Sequence, residues 1–143
     1  MQTPSVPVNR PMAASNMGTS ATIPPMGFGE AVSAGFSKYI QFSGRSRRAE
    51  YWYWVLFITL LNCAILLVVP LTLGVNWASN LYALASIALF LPNLGVLIRR
   101  LHDTDRSGWW FLLPLTIIGA FVLLVWLCQE GTKGQNRFGP RTT

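Results

Sequence analysis

From Tyr51 to Ile98 the chain contains no Asp, Glu, Lys, Arg or His, and the same is true from Trp109 to Gln129. Charged residues make up only 11% of the 143, against roughly 25% in ordinary soluble domains. An uncharged apolar run of about 18 residues or more is the mark of a membrane helix. A soluble chain this short has too much surface per unit volume to hide so much apolar material. The scarcity of charge therefore excludes an ordinary water-soluble domain. Cysteine is scarce too: Cys63 and Cys128 are the only two, with no CxxC or Cys/His spacing. Neither a disulfide framework nor a metal site is indicated, and no cofactor is implied. The first residues lack a charged n-region followed by an apolar core, so no cleavable leader is expected and insertion falls to the first apolar run. No internal repeat is evident.

What charge there is carries one dominant sign. Eleven Lys and Arg stand against five Asp and Glu, a net charge of +6. In a soluble chain this would suggest nucleic acid. Here the basic residues flank apolar runs, so orientation in the bilayer and contact with anionic headgroups explain them more economically, and no nucleic-acid partner is expected.

The order of segments points to an all-α, polytopic membrane protein. Residues 1–29 are rich in Pro, Met, Ser, Thr and Ala without periodicity, which reads as a disordered tail. Residues 30–48 form an interfacial segment ending in a basic cluster. There Val32, Phe36, Tyr39 and Ile40 recur at helical spacing, with Lys38 on the other side, as in an amphipathic helix on the membrane surface. Residues 49–143 make the transmembrane domain, with spans expected at 51–73, 81–98 and 109–128 and a short uncharged turn at 74–80. The 23 residues of the first span reach about 34 Å as a helix, enough to cross with some tilt. All six tryptophans, at 52, 54, 77, 109, 110 and 126, fall at an expected interface, where such rings prefer to sit.

Three spans place the N-terminal segment and the loop 99–108 on one side. That side holds eight Lys and Arg, while the C-terminal tail holds three (Lys133, Arg137 and Arg141). The positive-inside rule then puts the N-terminus in the cytoplasm and the tail outside. Pro114 and Gly119 open an alternative, in which the third apolar segment bends back as a re-entrant hairpin and returns the tail to the cytoplasm.

Polar groups within and beside the spans are few. Asn62 and Asn93 read as interhelical hydrogen-bonding groups, or else as the lining of a polar path. Pro92 frees the carbonyl of Ala88, which needs a donor from a neighbouring helix or water. The densest constellation is Arg99-Arg100-Leu101-His102-Asp103-Thr104-Asp105-Arg106-Ser107-Gly108. His102 could serve as an acid/base group oriented by Asp103 or Asp105, and the arginines could hold a phosphate. The same residues equally suit an ion-pair network that pins an interfacial loop, with Ser107 capping the next helix. Upstream, Arg45, Arg47 and Arg48 form a juxtamembrane basic cluster suited to anionic lipid, with Glu50 expected to pair with one of them. Lys133 and its glycines do not match a phosphate-binding P-loop.

Four blocks carry a resemblance. Phe42-Ser43-Gly44-Arg45 with Arg48, Glu50 and Tyr51-Trp52 is the first. Leu91-Pro92 leading to Arg99-Arg100-Leu101-His102-Asp103 is the second, and Arg106-Ser107-Gly108-Trp109-Trp110 the third. Gly131 with Asn136-Arg137-Phe138-Gly139-Pro140 completes the set. Together, in this order from about Phe36 to Pro140, they resemble the domain of unknown function 805 family of small bacterial inner-membrane proteins. The resemblance implies an inner-membrane location and supplies no established activity, cofactor or catalytic residue. The family commonly carries Gly where this chain has Asp105.

Three functions are compatible with these features. The first is a non-enzymatic membrane module that presents Arg45, Arg47, Arg48, Arg99, Arg100 and Arg106 on a cytoplasmic face to anionic lipid or a partner protein. The second is a subunit of a homo-oligomeric small transporter or channel with Asn62 and Asn93 facing inward. The third is a membrane-surface enzyme using His102 and Asp103. The first accounts for most of the charge pattern.

Overall fold

In the computed structural model, which describes residues 24–140, four α-helices and one 3-10 segment follow in order. The expected disordered tail falls largely in 1–23, outside the described residues.

The first helix, α1 (Phe28–Ser37), begins where the Glu30 side chain turns back to accept a hydrogen bond from the Gly27 N–H (3.0 Å). It is shorter than the amphipathic periodicity predicted, so Tyr39 and Ile40 lie in the turn that follows it. Its buried stripe is Ala31 and Gly35, not the Val32–Phe36 face. The cause is close approach: Gly35 lies flat against the Trp54 ring, where a Cβ would collide with the indole. Small residues at this spacing let two helix backbones come together. Phe36 then closes over the edges of Trp54 and Phe57, with ring centroids 5.3 and 5.8 Å apart.

The second helix, α2 (Arg48–Leu73), is 26 residues long, about 39 Å at 1.5 Å per residue. It widens into a π turn over Ala64–Val68, just before Pro70. A proline ring removes one backbone donor and pushes aside the carbonyl four residues back, and an inserted wide turn is a common way of absorbing this. Gly74 alone, with φ +90°, reverses the chain, and α3 (Val75–Asp103) starts at once. The expected turn over 74–80 is therefore a single residue, because glycine adopts a backbone conformation closed to other L-residues. At 29 residues α3 is about 43 Å long. That exceeds the roughly 30 Å hydrocarbon core, so the charged turn Arg99–Asp103 continues the helix beyond the apolar stretch that ends at Ile98. The polar stretch expected as a loop from Arg99 is still helical there.

A single helix over 109–128 does not form. Gly108–Leu115 is 3-10, the chain breaks at Thr116 in extended conformation, and α4 (Ile117–Cys128) resumes with 12 residues. Pro114 cannot sit inside a regular α-helix without loss, and the Thr116 hydroxyl caps the new helix by accepting from Gly119 N (3.1 Å). Ser107 caps the 3-10 segment as expected. The two arms fold against each other: Trp110 meets Trp126 edge-on at 5.6 Å, and the Arg106 guanidinium lies 4.3 Å above the Trp126 ring. Both ends of 108–128 consequently lie beside the charged end of α3.

Two helices among the described residues, α2 and α3, are long and apolar enough to cross a membrane. Their apolar side chains face outward: Leu67, Leu71, Leu84 and Ile87 are 65–88% exposed. Arg45, Glu50, Arg99, Arg100, His102 and Asp103 are buried instead. This inversion is what a lipid solvent requires and water forbids.

Candidate functional site

The buried charges converge at one end of the molecule. Asp103, in the last turn of α3, receives two guanidinium groups: Arg45 Nε donates to Oδ1 (2.9 Å) and Arg100 Nη1 to Oδ2 (2.6 Å). Arg45 and Arg100 have side-chain exposures of 1% and 0%. Burial at that level is tolerable only when the charge is paired and its nitrogens find acceptors, and every guanidinium nitrogen of both arginines reaches Asp103 or a main-chain carbonyl. Arg45 also donates to the carbonyls of Gly134 (2.7 Å), Thr132 (2.8 Å) and Asp103 itself (3.3 Å). Arg100 donates to Leu127 (3.2 and 3.1 Å) and to Gln129. Each guanidinium thus closes the C-terminus of a helix, Arg45 that of α3 and Arg100 that of α4, where unsatisfied carbonyls favour positive charge.

The C-terminal tail completes this knot. Thr132 N donates to the Asp103 carbonyl (2.9 Å), and Asn136 Nδ2 donates to the His102 carbonyl (2.7 Å). Asn136 also accepts from Phe138 N (2.9 Å) and pairs with Gly139 in a tight turn. Gly131 presses against the Asp103 carboxylate so closely that any Cβ would overlap it. These contacts explain why Gly131 and Asn136 belong to one pattern with Arg45 and Asp103.

Arg99 faces the other way. Its Nη1 donates to the carbonyls of Gln41 (2.5 Å) and Lys38 (3.3 Å), and its Nη2 lies 3.5 Å from Glu50 Oε1. Lys38 Nζ is 3.8 Å from the same oxygen. Glu50 therefore pairs with Arg99 and Lys38, and not with a member of the Arg45–Arg48 cluster as expected.

His102 and Asp103 do not form a dyad. Successive residues on a helix point about 100° apart, and His102 turns to stack flat on Phe138, with centroids 3.8 Å apart and planes 3° from parallel. Its Nδ1 faces the Gly44 carbonyl at 3.2 Å. Burial lowers the imidazole pKa below its ordinary value, the Gly44 bond opposing that shift. The neutral ring carries its proton on the nitrogen that faces the carbonyl. Asp105, the other candidate orienter, is engaged by Arg137 (Nε to Oδ1, 3.1 Å).

Of the six arginines predicted to form a basic face, Arg45, Arg99 and Arg100 are thus internal. Arg48 is exposed, and Arg47 and Arg106 are partly so. Asn93 accepts a hydrogen bond from Trp54 Nε1 (2.9 Å), joining α2 to α3. Sequence reasoning missed Lys38 and Gln41 as members of the charged end, and it missed that the tail reaches Asp103. The Gly131 and Asn136 positions in the fourth block were the available signal.

The model for the family described as a protein of unknown function (DUF805) matches residues 39–140, the stretch that contains every contact of the knot around Asp103. The chain belongs to this family. Among its relatives, the Escherichia coli K12 inner membrane protein YhaI is 52% identical over 104 residues, covering 71% of this chain and 85% of its own. The inner membrane protein YhaH of the same strain is 44% identical over 106 residues, covering 71% and 87%. No solved structure matches the chain. Location among inner-membrane proteins is thereby shared, and the DUF805 match begins just after α1, which lies outside it.

Proposed function

We propose that this DUF805 protein is a non-enzymatic, two-span inner-membrane module whose charged end gathers anionic lipid on the cytoplasmic side. In this reading α2 and α3 cross, while 108–128 enters as a hairpin and leaves on the side it came from. The 12 residues of α4 reach about 18 Å, too short for the roughly 30 Å core. The tail hydrogen-bonds to Arg45 and Asp103, which favours both termini on one side. The positive-inside rule makes that side the cytoplasm, since all eleven Lys and Arg then share it.

The observation that carries the reading is the rim around the knot. Arg47, Arg48, Arg106, Lys133 and Arg137 are exposed or partly so, bordered by the exposed indoles of Trp52, Trp109 and Trp110. Each basic residue held near an anionic leaflet adds about 1 kcal/mol of attraction. Indoles at headgroup depth set the level of the rim. His102 and Asp103, facing separate partners, give an enzyme little to work with.

The test uses tryptophan quenching in vesicles that contain brominated lipid. Brominated phosphatidylglycerol is expected to quench more than its mole fraction predicts, and more than brominated phosphatidylcholine does. The excess should fade at about 1 M salt, where the Debye length shrinks to about 3 Å, and on changing the five rim cations to Gln. Equal quenching by both lipids at low salt would refute the lipid reading. A C-terminal reporter active only outside the cytoplasm would refute the hairpin.

A further inference from the structure

A cleft of about 240 Å³ opens beside the knot, between the turn after α1 and the tail. Three cations line it, Lys38, Arg45 and Arg99, together with Gln41, Ser43 and the Phe138–Pro140 stretch, and no carboxylate does. The cations are not equally occupied. Arg45 spends every nitrogen on Asp103 and on main-chain carbonyls. Arg99 does not: its side chain is 1% exposed, yet Nε and Nη2 donate no hydrogen bond among the described residues. Lys38 is 37% exposed and has only the 3.8 Å ion pair with Glu50.

Glu50 is the one carboxylate set against both Lys38 and Arg99, and its Oε1 also lacks a hydrogen bond. A buried guanidinium with unmet donors is costly, and two cations sharing one carboxylate in a poorly solvated site leave positive charge uncompensated. An anion with several acceptor oxygens remedies both, by taking charge-assisted hydrogen bonds from Arg99 and Lys38. The Ser43 hydroxyl and the Gln41 amide supply neutral donors at the mouth. Helix C-termini already balance Arg45 and Arg100, which is why the unbalanced charge sits on this side and not at Asp103.

We infer that this cleft is a specific site for one phosphate group, carried by a lipid headgroup or by a small soluble phosphate. The inference rests on the proposed reading of the charged end and sharpens it. The rim attracts many lipids diffusely, whereas the cleft holds a single group.

The experiment uses the full-length protein in phosphatidylcholine nanodiscs, titrated calorimetrically with inorganic phosphate. A parallel preparation in nanodiscs containing phosphatidylglycerol is examined by native mass spectrometry for a retained lipid. Saturable one-to-one phosphate binding identifies a soluble source, and one tightly retained phosphatidylglycerol identifies a lipid source; either supports the site. Lys38→Gln should weaken binding about tenfold, as expected for loss of one charge-assisted hydrogen bond. It should do so with an unchanged circular-dichroism spectrum, because Lys38 lies at the surface of the cleft. Arg99→Lys keeps the charge but removes the planar fork, and should weaken binding further. Neither stoichiometric phosphate nor a retained lipid, or an affinity indifferent to Lys38→Gln, overturns the proposal. Replacing the five rim cations leaves the cleft intact, so loss of diffuse enrichment with one-to-one binding preserved separates the two readings.

Discussion

Asp105 is the one non-glycine among the described residues with a positive φ, +59°. It occupies the position after the α3 C-cap in a Schellman arrangement: Arg106 N donates to the Leu101 carbonyl and Asp105 N to that of His102, both at 3.0 Å. Glycine is the usual occupant of that position, and Asp tolerates it better than most residues do. A glycine would take the same conformation without strain. The carboxylate's pairing with Arg137 is solvent-exposed, 67% on the arginine side, and exposed pairs contribute about 0–1 kcal/mol. Asp105→Gly should therefore change stability by less than about 1 kcal/mol, the relieved backbone offsetting the lost pair. Asp105→Val should cost about 2 kcal/mol. Thermal unfolding in detergent distinguishes them, and equal losses would show that the ion pair matters and the backbone does not.

At the scale of elements, two prolines in helices have different outcomes. Pro70 is absorbed by a wide π turn within α2. Pro92, inside α3, leaves the Ala88 carbonyl without its helical donor, and the Tyr39 hydroxyl donates to that oxygen from the turn after α1. This bond, the Gly35–Trp54 contact and the Trp54–Asn93 hydrogen bond dock α1 and its turn against both long helices. Tyr39→Phe strands a carbonyl away from water and should cost about 1–3 kcal/mol. In a Pro92→Ala background the restored N–H supplies the donor, so the same change should cost less than half as much. A double-mutant cycle of unfolding free energies measures the coupling; additive losses would show that Tyr39 stabilises by some other contact.

For the whole molecule, Asp103 is the point where three separate parts meet. The loop after α1 sends Arg45, α3 sends Arg100, and the tail sends Thr132. Asp103→Asn leaves two buried guanidinium groups facing a neutral amide. Breaking a buried pair typically costs about 3–5 kcal/mol. The tail should loosen first, since its anchor is Asp103 and the carbonyls around it. Brief trypsin digestion followed by mass spectrometry should find much faster cleavage after Lys133 in the variant. An unchanged rate would mean that the hydrogen bonds of Asn136 hold the tail by themselves.

The sequence by itself determined the solvent. Uncharged runs from Tyr51 to Ile98 and from Trp109 to Gln129 can bury their apolar side chains only in lipid, and composition is enough to say so. Its resemblance to a known family also singled out four blocks of glycines, prolines and charges in a set order. Only the tertiary structure decided that the segment after Ser107 folds back, and that Arg45, Arg99 and Arg100 are internal. Apolarity alone does not distinguish one continuous helix from two arms packed together; the break at Thr116 and the contact of Trp110 with Trp126 do. A guanidinium likewise reads the same in sequence whether it meets a headgroup or a helix C-terminus. Which one it meets depends on carbonyls that exist as a cluster only after the chain has folded.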